Sequence, residues 1–286
     1  MYKVIAVGTD LSKTARVASE RGAALATRLG ADLVLVHAGA DPGEPFEALG
    51  KEFNAETVAA NGNPADVLIA EADRLGAELL VVGSVGMSGA RRFLLGSVPN
   101  KVSHHAPIDL LIVKTDKPAA TTGDYEKILV GSDGSPTAMR AVDAACSLAA
   151  ELGITPVIVC AFQPPTEQEL EQLRAGSGDA IAQWGAGKTV TSTPEEFRWR
   201  IAGATQAEDV LDRAKQHAAD RGVDAETRAV EGGAAESLIA VAESEGFDLI
   251  VVGSVGMSGA KRFMLGNVPH RISHHAPTDV LILRTA

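Results

Sequence analysis

The feature that most restricts this chain is a long passage that occurs twice. Residues 81–113 read VVGSVGMSGARRFLLGSVPNKVSHHAPIDLLIV, and residues 251–283 read VVGSVGMSGAKRFMLGNVPHRISHHAPTDVLIL. The two match at 24 of 33 positions without a gap, at an offset of 170 residues. A repeat of this length means that one structural unit is present twice, so the architecture is read per copy. The similarity runs upstream as well: Lys3–Ser12 corresponds to Lys127–Ser135 once one strand residue is dropped, Leu33–Ala38 to Val157–Ala161, and Ala55–Ala59 to Ala225–Ala229. The offset grows from 123 to 170, which places about 47 extra residues between the second and third strands of copy two.

Within each copy, short apolar runs alternate with amphipathic helical patterns, which predicts a five-stranded, parallel, doubly wound α/β sheet. In copy one the strands fall near Lys3–Val7, Leu33–His37, Glu56–Ala59, Leu79–Val82 and Asp109–Val113, with helices near Lys13–Leu29 and Pro64–Leu75. Gly76 is placed to end the second helix. The stretch Asp41–Asn54 is interrupted by Gly and Pro and predicts a loop with one helical turn at most. In copy two, Thr205-Gln206-Ala207-Glu208 has capping-box spacing and predicts a helix from there to about Arg221, stopped by Gly222. Gly176–Thr193 is rich in Gly, Ser and Thr and predicts a mobile segment. The units are therefore residues 1–116 and 125–286, with a linker at 117–124 and an insert at about 163–204 of the second.

Composition narrows the function. Hydrophobic residues make up 45% of the chain and charged residues 22%, as in a folded globular protein. Aromatics are only 4%, so the core must be built from Val, Ile, Leu and Ala, which suits buried parallel strands. The net charge of −11 argues against nucleic acid or an anionic membrane as a partner. Two cysteines, Cys146 and Cys160, sit in apolar patterns and make neither a disulfide framework nor a zinc site. No signal-like start and no membrane-length apolar run is present, which makes the cytoplasm the expected location.

Gly83-x2-Gly86-x9-Gly96-Ser97 follows the fourth strand of copy one, and Gly253-x2-Gly256-x9-Gly266-Asn267 follows that of copy two. A phosphate cradle needs backbone N–H groups that face the ligand, and glycine allows the close approach. Ser97 and Pro99 mark the start of the next helix, whose unpaired N–H groups and dipole suit an anion. Asp10, in Gly8-Thr9-Asp10, and Asp133 end the first strands. If strands one and four are neighbours, each Asp faces the glycine loop across the switch point, where α/β sheets bind ligands. A carboxylate there would accept from a base amine or a ribose hydroxyl and would repel phosphate, so it belongs at the adenosine end.

The glycine loop, the Asp after strand one and the Val-Pro-x3-Ser-His-His-Ala-Pro-x-Asp-x-Leu-Ile-Val ending resemble the universal stress protein family over nearly the whole chain, twice. The resemblance implies a Rossmann-like fold of the adenine nucleotide alpha hydrolase type and ATP binding, with or without Mg2+. It implies contacts from Asp10, the backbone at Ala38, Gly83, Gly86, Gly96, Ser97 and Val98, and in copy two from Asp133, Ala161, Gly253, Gly256, Gly266 and Val268. Asn267 stands where the family has Ser or Thr, Leu11 where it often has Gly, and Val85 and Val255 where a polar residue is common. The Ser-Val-Gly-Met wording is similar to actinobacterial members, some of which prefer cyclic AMP, so cyclic AMP is the alternative ligand.

The plainer readings decide other motifs. Ser12 and Ser135 fill the first-helix cap better than Asp10 and Asp133, which leaves the aspartates for ligand. Arg91-Arg92 and Lys261-Arg262 read as solvated faces. His104-His105 and His274-His275 read as helix ends and not metal ligands, since neighbouring side chains point apart. Gly185-Ala-Gly187-Lys188-Thr189 is no P-loop, because Ala182 stands where a glycine is needed. The expected role is a nucleotide-dependent stress or signalling regulator. A nucleotidyltransferase or ATP-dependent ligase would need acid/base or metal signatures not seen in the sequence, so no enzyme is expected, slow ATP hydrolysis aside. A nucleotide-free interaction scaffold is the third reading. The fifth strands are edges, and pairing Asp109–Val113 with Asp279–Leu283 would make an intramolecular pseudo-dimer, open to further homodimerisation.

Overall fold

The computed structural model describes residues 1–85, 95–115, 124–163, 195–256 and 265–284, with the backbone alone over 195–202. Copy one contains β1 (Val4–Gly8), α1 (Lys13–Leu29), β2 (Asp32–Ala38), α2 (Glu44–Phe53), β3 (Glu56–Ala60), α3 (Pro64–Arg74), β4 (Leu79–Gly83), α4 (Ser97–His105) and β5 (Asp109–Val113). Copy two contains β6 (Ile128–Gly131), α5 (Pro136–Leu152), β7 (Val157–Phe162), α6 (Glu195–Ala219), β8 (Glu226–Glu231), α7 (Ala234–Glu245), β9 (Leu249–Gly253), α8 (Asn267–His275) and β10 (Asp279–Leu283). The linker 117–123 and the segment Gly176–Thr193 lie outside the described residues.

The strands form one ten-stranded sheet in the order β3-β2-β1-β4-β5-β10-β9-β6-β7-β8. Every pairing is parallel except that between β5 and β10, which is antiparallel with Val280 opposite Ile112, Leu281 opposite Leu111 and Ile282 opposite Leu110. Leu111 and Leu281 are equivalent residues of the two copies, so a pseudo-twofold axis passes between them. The two fifth strands thus hide each other's edges, as their sequence predicts.

Two cores cover the two faces of the sheet. Ile5, Val7, Leu35 and Leu111 point to α1 and α5 on one face, while Ala6, Val34, Val36 and Leu110 point to α3, α4, α7 and α8 on the other. This alternation along strands buried on both sides explains the near-continuous Val, Ile and Leu runs. Ser12 and Ser135 accept from Ala15 N and Ala138 N and cap α1 and α5, and Gly30 and Gly153 end them.

Three expectations are corrected. Residues 44–53 form the ten-residue helix α2, not a loop. Pro45 sits in the first turn, where its missing N–H costs nothing; Glu44 and Glu47 suit the helix dipole; and Phe46, Leu49 and Gly50 are buried along one face. Helix α6 begins at Glu195, so Thr205 lies inside it and is no cap. A Ser/Thr with Glu three residues on also fits a helix interior, and Gly203, which reads as a break, brings α6 close to the Phe162 ring, 3.2 Å from where a Cβ would stand. The N-caps of α4 and α8 are Gly96 and Gly266, so Ser97 and Asn267 are the first helical residues, one step inside the cap.

Candidate functional site

Parallel strand order places β1 between β2 and β4, and β6 between β7 and β9, so the crevice of each copy opens where the chain order reverses. In copy two, Asp133, Ala161, Gly253, Gly256, Gly266, Asn267 and Val268 all line one cavity of about 300 Å³. Apolar walls from Val159, Leu238 and Val252 complete it. An adjoining opening of about 380 Å³ shares Ala161, Ala234, Asn267 and Val268 with it and is edged by Gln163, Glu236 and Arg271.

The carboxylate is set by its turn. Asp133 Oδ1 accepts from Ser135 N at 2.9 Å, and Asp10 Oδ1 accepts from Ser12 N at 3.0 Å. The residue after each aspartate steps into the left-handed region: Gly134 at φ +77° and, in copy one, Leu11 at φ +62°. Glycine does this without strain, whereas leucine costs about 1–2 kcal/mol there. Leu11 keeps the same turn because its N–H donates to Thr9 Oγ1 at 3.1 Å, as Gly134 N does to Ser132 Oγ at 3.3 Å.

The glycine loop is pinned at both ends. Gly266 N donates to Ser254 O at 2.7 Å and Gly96 N to Ser84 O at 2.8 Å. Thr137 Oγ1 donates to Val255 O at 2.6 Å, tying α5 to the loop. A Cβ on Gly256 would stand 2.8 Å from Asp133 Oδ2, and one on Gly253 would meet the Thr137 backbone at 2.9 Å, so both positions need glycine for close approach. Among the described residues no side-chain capping bond is made at the start of α8, whose N-terminal residues Asn267 and Val268 line the cavity.

Copy one places Gly8 at the end of β1 with Thr9 and Asp10 just after it, Ala38 at the end of β2, Gly83 at the end of β4, and Gly96, Ser97 and Val98 at the start of α4. These are the positions that come together in copy two. Gly86, Arg91 and Arg92 lie outside the described residues, as do Lys261, Arg262 and Gly185–Thr189.

Two contributions are missing from the sequence reading. The N-terminus of α7, capped by the Gly233 backbone, opens on the same cavity through Ala234; the Gly232-Gly233 pair before an Ala-rich run was its signal. The end of β2 carries His37, whose Nδ1 is 3.0 Å from Thr9 O and whose ring packs on Phe46 with centroids 5.8 Å apart. At the equivalent place copy two has Cys160, whose thiol is pushed up to about 11 by burial and then by Asp133. The two copies therefore differ in the side chain at the end of the second strand, His37 in one and Cys160 in the other.

The family profile described as "Universal stress protein family" matches residues 1–56, 46–114 and 124–284. The chain belongs to the universal stress protein family. It is 35% identical over 162 residues to the universal stress protein YxiE of Bacillus subtilis, a match covering 56% of this chain and 99% of that one. Among solved structures it is similar to the functionally unknown protein PA1789 of Pseudomonas aeruginosa, with a TM-score of 0.66 at 19% identity over 99% of this chain and 92% of that one. A universal stress protein from Archaeoglobus fulgidus gives a TM-score of 0.65 at 17% identity over 99% and 96%. Both likenesses cover the two-copy architecture and show the fold. No described helix of this universal stress protein is long and apolar enough to cross a membrane.

Proposed function

We propose that this universal stress protein binds an adenine nucleotide of the ATP type in each copy and acts as a regulator through its bound state. The observation that carries the reading is the copy-two cavity, with Asp133 on one wall and the start of α8 on another. An aspartate suits a ribose hydroxyl or base amine, and a helix N-terminus suits phosphate. The adjoining opening gives a polyphosphate room beyond the first phosphate, which favours ATP over cyclic AMP. Asp133 is the one titratable side chain lining the cavity among the described residues, and it is held by Ser135 N, which supports binding over catalysis.

The test is mass spectrometry of nucleotide released from fresh protein, followed by calorimetry with ATP, ADP and cyclic AMP. Gly256→Ala pushes a methyl group against Asp133 and should abolish binding at copy two while the fold is kept. Unchanged affinity in that variant would remove the loop from the site. Tighter binding of cyclic AMP than of ATP would replace the ligand, and hydrolysis of bound ATP would replace the non-catalytic reading.

A further inference from the structure

The two phosphate-seat helices meet across the pseudo-twofold axis, and what they bring together is histidine. His104 of α4 lies with its ring centroid 5.4 Å from that of His270 of α8, and His270 lies 4.5 Å from His274. His274 Nε2 is 3.2 Å from Asn100 Oδ1. Positions 100 and 270 are equivalent, as are 104 and 274, so the same contact is made on both sides of the axis. Only the residue differs, an amide on one side and an imidazole on the other. His270 Nδ1 is buried with no hydrogen-bond partner among the described residues.

Asn100 and His270 belong to the first turns that present the seats, and His104 and His274 to the last turns of the same helices. Asn100 N donates to Gly96 O and His270 N to Gly266 O, the first hydrogen bonds of α4 and α8. The other groups acting on His104 and His274 are cationic or neutral: His105 and His275 on the same helices, Lys114 after β5 and Arg284 after β10. The carboxylates of the helices packed beside them are paired with cations, Asp66 of α3 with Lys101 and Glu236 of α7 with Arg271. Lys114 Nζ donates to Ser273 O, and Arg284 donates to Ser103 O, so both cations are fixed at the helix ends. Burial, and then the neighbouring imidazoles, push His104 and His274 below the usual histidine range.

We propose that His104 and His274, packed around His270 and Asn100, form a proton-sensitive coupler that holds α4 and α8, and with them both nucleotide seats, together when neutral and forces the helices apart when charged. The inference rests on the nucleotide reading of the two seats and adds their regulation. The sign follows from the lowered values. The folded protein resists a proton that the unfolded or separated helices accept, so the contact between α4 and α8 holds above about pH 6.5 and is lost as the pH falls below it. Charges in ring contact repel one another across the two helices.

The experiment is calorimetry with ATP and with cyclic AMP at about pH 7.5 and about pH 5.5, either side of the ordinary imidazole value, under a chelator that removes trace metal. Cyclic AMP does not titrate in this range and separates the protein's protons from those of ATP. The wild type should lose about tenfold in affinity on acidification, the effect of one linked proton per pH unit. His270→Asn, which copies Asn100, should bind equally at neutral pH and lose much less. Asn100→His adds an imidazole on the other side and should fall more steeply, which keeps the test open if His270→Asn does not fold. Equal profiles in all three proteins, or tighter binding of the wild type in acid, would overturn the coupler alone. Absence of binding by all three at neutral pH would overturn the nucleotide reading and the coupler with it.

Discussion

Arg21, on the first helix of copy one, lies with its Nε 3.2 Å from Oδ2 of Asp279, which opens the last strand of copy two; both side chains are more than nine-tenths buried. The same carboxylate accepts from Tyr125 OH at 2.9 Å and from Lys114 N at 2.8 Å, and the Arg21 guanidinium lies 4.4 Å over the Tyr125 ring. On the other side of the axis, Asp109 accepts from Tyr2 OH and from Arg284 N. Each copy therefore opens its last strand with an acceptor for the backbone of the other.

This junction sets the first prediction. Burial pushes the Asp279 carboxyl up, against Arg21, Lys114 and Tyr125, which favour the charged form. Asp279→Asn leaves Arg21 buried without its counter-charge and should cost about 3–5 kcal/mol in urea unfolding at neutral pH. Arg21→Met with Asp279→Asn should recover most of that loss. Asp66→Asn, which breaks the exposed Lys101 pair, should change stability by less than about 1 kcal/mol. A single-mutant loss as small as that of Asp66→Asn would remove the junction from the fold's energetics.

The cap assignments make a second, paired prediction. Ser12→Ala and Ser135→Ala each remove a capping bond and should cost about 1 kcal/mol. Ser97 and Asn267 lie inside caps made by Gly96 and Gly266, so Ser97→Ala and Asn267→Ala should shift unfolding by less than about 0.5 kcal/mol while nucleotide affinity falls. A stability loss at Ser97 equal to that at Ser12 would make it a cap and not a ligand residue.

Leu11 carries a third. Its left-handed backbone should make Leu11→Gly more stable by about 1 kcal/mol, less whatever packing the side chain gives up against α1's core. Gly134→Leu in copy two should be destabilising by at least as much, because a Cβ there stands 3.1 Å from Val210. Chemical denaturation of the pair decides whether the strain is present.

The cysteines give a fourth. Burial first, with Asp143 beside Cys146 and Asp133 beside Cys160, pushes both thiols from 9.0 to about 11. The thiolate fraction at neutral pH falls by about a hundredfold for such a shift. Neither thiol should react with iodoacetamide in the folded protein over the time in which both react in urea. Rapid labelling of Cys160 in the native state would show that the core beneath α5 and α6 opens readily.

Much of this was legible in the sequence, for identifiable reasons. The repeat located the strands, and the uncapped edges of Asp109–Val113 and Asp279–Leu283 called for the pairing that joins the copies. Ser12 and Ser135 were readable as caps because Ser followed by helix formers has few other uses. Helix α2 was hidden because Gly43 and Pro45 are both breakers and start signals, and only burial of Phe46 and Leu49 tells which. The start of α6 was hidden because a capping-box spacing is also an ordinary helical spacing. The histidine contact between α4 and α8 could not be read locally, since it depends on residues 100, 104, 270 and 274 meeting across the axis.

The central claim is that main-chain amides at the start of α8, opposite Asp133, receive the phosphate. Amide chemical shifts of isotope-labelled protein during ATP addition test it most directly. The account predicts saturable shifts concentrated at Gly253, Gly266, Asn267 and Val268, with matching changes at Gly96–Val98. Shifts scattered over the surface, or none at those amides when ATP is plainly bound, would contradict it.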